Sequence, residues 1–262
     1  MKTKDYLENY YRNYDEEGRL LSKHGRIEYI TTMHYIEKYL TPAAKILEIG
    51  AGTGRYSHTL ARKGYVVDAV ELTEYNMELF KKNTENGEKV NIMQGDATDL
   101  SLLCEESYDI TLMLGPMYHL FDKKEQLKAL SEAIRVTKKG GVVFVAYCMA
   151  DPTVLSYGFI RGKIYDIIND CMLDPETFET FSHPWDIFEL YRKEQIDELR
   201  GNFSVTQLHY VASDGYANHM RDTLATLDDN AYEIYVKYHL ATCERLELTG
   251  YSHHTLDIFR KD

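Results

Sequence analysis

The chain has 262 residues, 44% of them hydrophobic, which suffices for a substantial core and fits one large domain or a domain carrying insertions. Its 42 Asp and Glu outweigh 30 Lys and Arg, and the resulting formal charge of −12 repels polyanions and argues against nucleic acid as a partner. The longest apolar run, Val142 to Ala150, falls short of a membrane helix, the start lacks a signal-peptide core, and Cys104, Cys148, Cys171 and Cys243 are too scattered for a zinc or redox motif, so a cytoplasmic protein without metal or membrane partner is expected.

Residues 1–42, rich in Tyr and charge, read as a helical cap beside a sheet. Across 43–150, short apolar, β-rich segments at 44–50, 65–71, 90–95, 108–115 and 141–149 alternate with helical periodicity at 55–63, 74–84 and 122–138. Strand alternating with helix implies a parallel sheet covered on both faces, the doubly wound α/β class. Residues 151–202 read as an irregular and helical insertion, and 203–262 as two further strands, 203–212 and 254–260, around a helical segment. No repeat or linker divides the chain, so a single domain is expected.

The first strand runs into Gly50, Gly52 and Gly54 and then a helix, a loop whose backbone can turn sharply and approach a ligand. Glu71, at the end of the second strand, is placed to accept hydrogen bonds from the ribose hydroxyls of a nucleotide-bearing cofactor. Arg55 stands where a dinucleotide fingerprint would have its third glycine, which counts against an NAD-dependent oxidoreductase. Glu48, two residues before the loop, suits a cofactor bearing positive charge.

These residues resemble the first motif of the class I S-adenosylmethionine-dependent methyltransferases, E/D-x-G-x-G-x-G, at Glu48, Gly50, Gly52 and Gly54. The resemblance implies a Rossmann-like fold whose seven-stranded, mostly parallel sheet has an antiparallel last strand. It also implies S-adenosylmethionine as cofactor, S-adenosylhomocysteine as product, and a cofactor site of Glu48, Gly50, Ala51, Gly52, Thr53, Gly54, Glu71, Leu72, Asp96, Ala97, Leu114 and Gly115. Glu48 would hold the methionine ammonium, Glu71 the ribose, and Asp96 with Ala97 the adenine. The opening segment and MLGPMYHL at 113–120 are similar to small-molecule-type bacterial methyltransferases.

Methyl transfer by in-line displacement gains rate from alignment and exclusion of water and needs no metal. The acceptor is expected beyond the fourth strand, with His119 as first choice of base because imidazole titrates near neutral pH, and Tyr118 beside it at pocket or acceptor. Tyr10, Tyr11 and Tyr14 are lid candidates, and Tyr157, Arg161, His183 and Trp185 candidates for the acceptor pocket. His253 and His254 read as structural, since neighbours on a strand face opposite ways. A non-catalytic S-adenosylmethionine-binding protein is the remaining alternative, and an insertion helix could serve a homodimer as readily as a lid.

Overall fold

The computed structural model describes residues 3–13, 18 and 21–262. Seven main strands form one sheet in the order β3-β2-β1-β4-β5-β8-β7, comprising β1 (Lys45–Ile49), β2 (Val66–Glu71), β3 (Val90–Gln94), β4 (Tyr108–Met113), β5 (Thr137–Met149), β7 (Val205–Ala212) and β8 (His254–Lys261). An eighth, two-residue strand, β6 (Leu190–Tyr191), pairs parallel to the end of β5 through Cys148↔Leu190. The sheet is parallel from β3 to β5, whereas β8 runs antiparallel to both β5 and β7.

Central strands are apolar on both sides because helices cover both faces. Leu47 and Ile49 of β1, with Val143 and Val145 of β5, pack on α5 (Lys123–Val136) through Ala129, Leu130 and Ala133. The alternate residues, Ile46, Val142, Phe144 and Ala146, meet Met33, Tyr35 and Ile36 of α2 (Lys23–Tyr39) and Leu60 of α3 (Arg55–Arg62) on the opposite face. The period-two alternation also fixes Glu48 on the Ile46 side, beneath α3. Polar side chains start the long helices: Ser22 accepts from Gly25 N at α2, and Asp122 from Lys124 N at α5.

From β1 the chain moves outward to β2 and β3, then returns to place β4 on the other side of β1. That reversal opens a crevice at the C-terminal ends of β1 and β4, the place where open α/β sheets hold ligands. Gly50 and Gly115 face each other across it, a Cβ on Gly115 lying 3.6 Å from Gly50 O. Because β8 is antiparallel, its first residue, His254, pairs with Cys148 at the end of β5 and reaches the same edge.

Around this frame lie α1 (Thr3–Asn13) and α4 (Glu74–Asn83), then a seven-residue π-helical turn, Val154–Ile160, and α6 (Ile164–Asn169). They are followed by α7 (Lys193–Arg200), α8 (Arg221–Thr226) and α9 (Asp229–Thr242). No helix among the described residues is long and apolar enough to cross a membrane.

Candidate active site

Gly50 N and Ala51 N both donate to Val70 O, at 2.8 and 3.1 Å, pinning the start of the glycine loop to β2. The three glycines have different tasks. A Cβ on Gly50 would stand 2.7 Å from Pro116 Cδ, and one on Gly54 2.4 Å from His58 Nε2, so these two allow the backbone to pack against its neighbours. A Cβ on Gly52 would meet nothing within 4 Å, and Gly52 borders a cavity of about 430 Å³.

Glu48, Gly50, Ala51, Gly52, Thr53, Leu114 and Gly115 line one end of that cavity. Glu48 is 2% exposed, and its Oε2 accepts from Ser57 N at 3.0 Å and from Ser57 Oγ. No cation pairs with it among the described residues, and burial pushes its pKa up to about 8, opposed by the Ser57 hydrogen bonds. A buried carboxylate with serine donors but no counter-charge fits a ligand that brings a positive group. The residues present therefore fit S-adenosylmethionine.

Glu71 is buried, with Oε2 accepting from Gly52 N at 2.9 Å and Oε1 from Thr73 N and Oγ1 at 2.9 and 2.8 Å. It thus ties the glycine loop to the end of β2, and lone pairs remain for further donors. Leu72 accepts from Gln94 Nε2 at 3.2 Å, exposed Asp96 accepts from Thr98 N and Oγ1 at 2.8 Å, and Ala97 packs against the α5-side core. These four stand together at the ends of β2 and β3, beside the cavity rather than on its wall.

At the opposite end the wall includes Tyr10, Tyr11, Tyr118, Tyr157 and Arg161, whereas Tyr14 lies outside the described residues. His183 and Trp185 stack on each other at 4.5 Å but do not border the cavity. His119 also differs from its expected place. Its Nδ1–H donates to Ile187 O at 2.7 Å, its Nε2 accepts from Tyr11 O–H at 3.0 Å, and burial lowers its pKa to about 4. With both nitrogens engaged and the ring off the cavity wall, His119 is a neutral link between α1 and the loop after β4.

The sequence reading passed over a cluster at the cavity's β5–β8–β7 side. His254 Nδ1–H donates to Asp214 Oδ2 at 2.8 Å, with Glu28 Oε2 at 3.7 Å. Burial opposes charge on this imidazole, but Glu28, Cys148 and Asp214 outweigh it and hold the pKa well above the usual histidine range. Burial likewise opposes ionisation of Asp214, and His254 outweighs it. Ligand-type atoms of Glu28, Asp214 and His254 lie within 4.8 Å of one another, and with His254 Nδ1–H donating to Asp214 the imidazole stands between two carboxylates. His253 also borders the cavity, because it precedes β8 and escapes the strand's alternation. The antiparallel last strand that the resemblance implies is β8, and its direction carries His254 at its N-terminal end to the ligand edge.

Residues 46–141 match the sequence family described as Methyltransferase domain. The chain is 32% identical over 112 residues to a demethylmenaquinone methyltransferase of Clavibacter sepedonicus, covering 42% of this chain and 44% of that protein. It is 26% identical over 185 residues to a ubiquinone biosynthesis O-methyltransferase of Pseudomonas syringae pv. tomato, covering 69% and 78%. Together these matches support a class I S-adenosylmethionine-dependent methyltransferase. A solved SAM-dependent methyltransferase from Methanosarcina mazei shares the fold of this methyltransferase, at TM-score 0.57 and 19% identity, over 87% of this chain and 96% of that one. For the methyltransferase the oxidoreductase alternative is not favoured, in keeping with Arg55 and Glu48.

Proposed function

We propose that this methyltransferase moves the methyl group of S-adenosylmethionine to a small-molecule acceptor held in the cavity between the glycine loop and the β5–β8–β7 side. The observation that carries the reading is the pairing, in one cavity, of an uncompensated buried acid at the glycine loop with a second, polar end lined by Tyr118 and His254. When bound, the cofactor supplies an electrophilic methyl carbon on a sulfonium. Glu48 would hold the methionine ammonium, Glu71 the ribose, and Asp96 with Ala97 the adenine. Tyr118, whose ring centre stands 5.7 Å from that of His254, would orient the acceptor. Tyr10 and Tyr11 would cover the site and exclude water, with His119 as the residue that positions Tyr11. Alignment in a dry cavity supplies most of the rate in such a displacement.

The names of the relatives, enzymes of menaquinone and ubiquinone metabolism, support a small-molecule acceptor, as does a surface charge that repels nucleic acid. Calorimetry with S-adenosylhomocysteine and NAD tests the cofactor assignment. S-adenosylhomocysteine is expected to bind the wild type, roughly ten- to a hundredfold more weakly after Glu71→Ala, with no heat from NAD. Binding of NAD alone would overturn the proposal. Transfer of labelled methyl to phenols, amines and thiols then identifies the acceptor atom.

A further inference from the structure

Several arginines of this acidic chain pair with carboxylates, and Arg55 on the cavity wall lies 4.5 Å from the Tyr29 ring centre. Arg12, Arg62, Arg135, Arg192, Arg200 and Arg245 each lie within 3.2 Å of a carboxylate oxygen. Arg161 and Arg221, both exposed and both on the cavity wall, have no carboxylate partner among the described residues, although the chain carries 42 acids against 30 bases. Arg221 reaches only the neutral oxygens of Asn218, at 3.4 Å.

Both arginines border the same cavity as His253. Arg161 N donates to Ser156 O at 3.1 Å, and Ser156 Oγ bonds His253 Nε2 at 2.7 Å. Arg221 lies close enough to bear electrostatically on the same His253. Ser213, 2% exposed and also on the wall, has a buried Oγ with no hydrogen-bond partner among the described residues, and the same holds for His253 Nδ1. Buried polar atoms left unpaired by the protein and facing a cavity call for partners from a ligand. Of the two carboxylates on the cavity wall, Glu48 lies at the glycine-loop end and Glu28 has its Oε2 3.7 Å from His254 Nδ1.

We propose that the methyl acceptor carries an anionic group, a carboxylate or a phosphate, bound by Arg161 and Arg221 with help from the Ser213 hydroxyl. The planar guanidinium fork suits either group. As an acceptor site the proposal rests on the methyl-transfer reading above, whereas the anion site itself can be tested without it.

Titration calorimetry with benzoate and with inorganic phosphate, on the free protein and on protein saturated with S-adenosylhomocysteine, tests the site, with benzylamine as the cationic control. At least one anion is expected to bind, and Arg161→Gln and Arg221→Gln should each weaken it tenfold or more while leaving S-adenosylhomocysteine affinity unchanged. Benzoate binding points to a carboxylate acceptor and phosphate binding to a phosphate ester. Silence of both anions, variants that bind them like the wild type, or a preference for benzylamine would overturn the proposal. Failure of S-adenosylhomocysteine to bind would strike the methyl-transfer reading instead, and the titrations on free protein keep the two failures apart.

Discussion

Glu48 makes a single side chain responsible for both a cost in folding and a gain in binding. Its pKa is raised to about 8 by burial, so between the ordinary carboxylate range and pH 8 the native state holds a proton that the unfolded chain has lost. Stability of the free protein should therefore fall as pH rises through that window and level off above it, by an amount on the order of a few kcal/mol. Glu48→Gln should remove this slope, as thermal unfolding at pH 5.5 and pH 8.5 would reveal. The ligand's ammonium favours the ionised form, so binding of S-adenosylhomocysteine at pH 7 should release protons from the wild type and fewer from Glu48→Gln, which calorimetry in buffers of different ionisation enthalpy detects. An unchanged proton count in the variant would remove Glu48 from the cofactor contact. The importance of Glu48 was legible from its spacing to Gly50, whereas its lack of a counter-charge emerges only once Ser57 of α3 is folded over it. His119 was read oppositely for the same reason: nothing local announces that Ile187 O, 68 residues away, will take its Nδ1 proton.

At the level of elements, the glycine loop separates fold from function. Gly54 has φ +91° and would press a Cβ within 2.6 Å of both His58 and Phe80, whereas Gly52, with φ +55°, has open space before it. Gly54→Ala should cost several kcal/mol and lower folded yield. Gly52→Ala should cost only about 1 kcal/mol, the ordinary strain of a left-handed residue, yet weaken S-adenosylhomocysteine binding at least tenfold. Denaturant midpoints beside calorimetric affinities check both. Equal loss of stability in the two variants would count against assigning Gly52 to the ligand. Such elements are readable because strand runs and helix periods are local: the predicted strand at 65–71 is found at Val66–Glu71, and the helix at 74–84 at Glu74–Asn83. The two residues of β6 and the π-helical turn carry no comparable period, since each is imposed by what it packs against, Leu190 by Cys148 and Gly158 by Ile164 and Ile167.

Across the whole molecule, the polar contacts that hold the N-terminal helix beside the cavity set how the site opens. Thr73, the residue before α4, spends its hydroxyl on Glu71, so it offers no cap to that helix. Glu8 of α1 supplies the missing acceptor from 66 residues away, taking Glu74 N and Tyr75 N at 3.2 Å. Arg12 pairs with Glu8 at 2.9 Å and lies 5.3 Å from the Tyr75 ring centre, while Tyr11 reaches His119 at 3.0 Å. Each of these is a partly exposed polar contact, and a side-chain cap contributes about 0.5–2 kcal/mol. A helix docked by terms of this size, beside buried Leu7 and the Tyr10–Phe188 ring contact, can open without unfolding the sheet beneath it. Glu8→Ala should leave the main unfolding transition nearly unchanged while raising the S-adenosylhomocysteine dissociation rate roughly three- to thirtyfold, because Tyr10 and Tyr11 ride on α1 and border the cavity. Stopped-flow displacement measures that rate, and limited proteolysis near residue 13 should be faster in Glu8→Ala and suppressed by S-adenosylhomocysteine in both proteins. A dissociation rate unaltered by the substitution would mean that α1 covers the cavity without controlling passage through it.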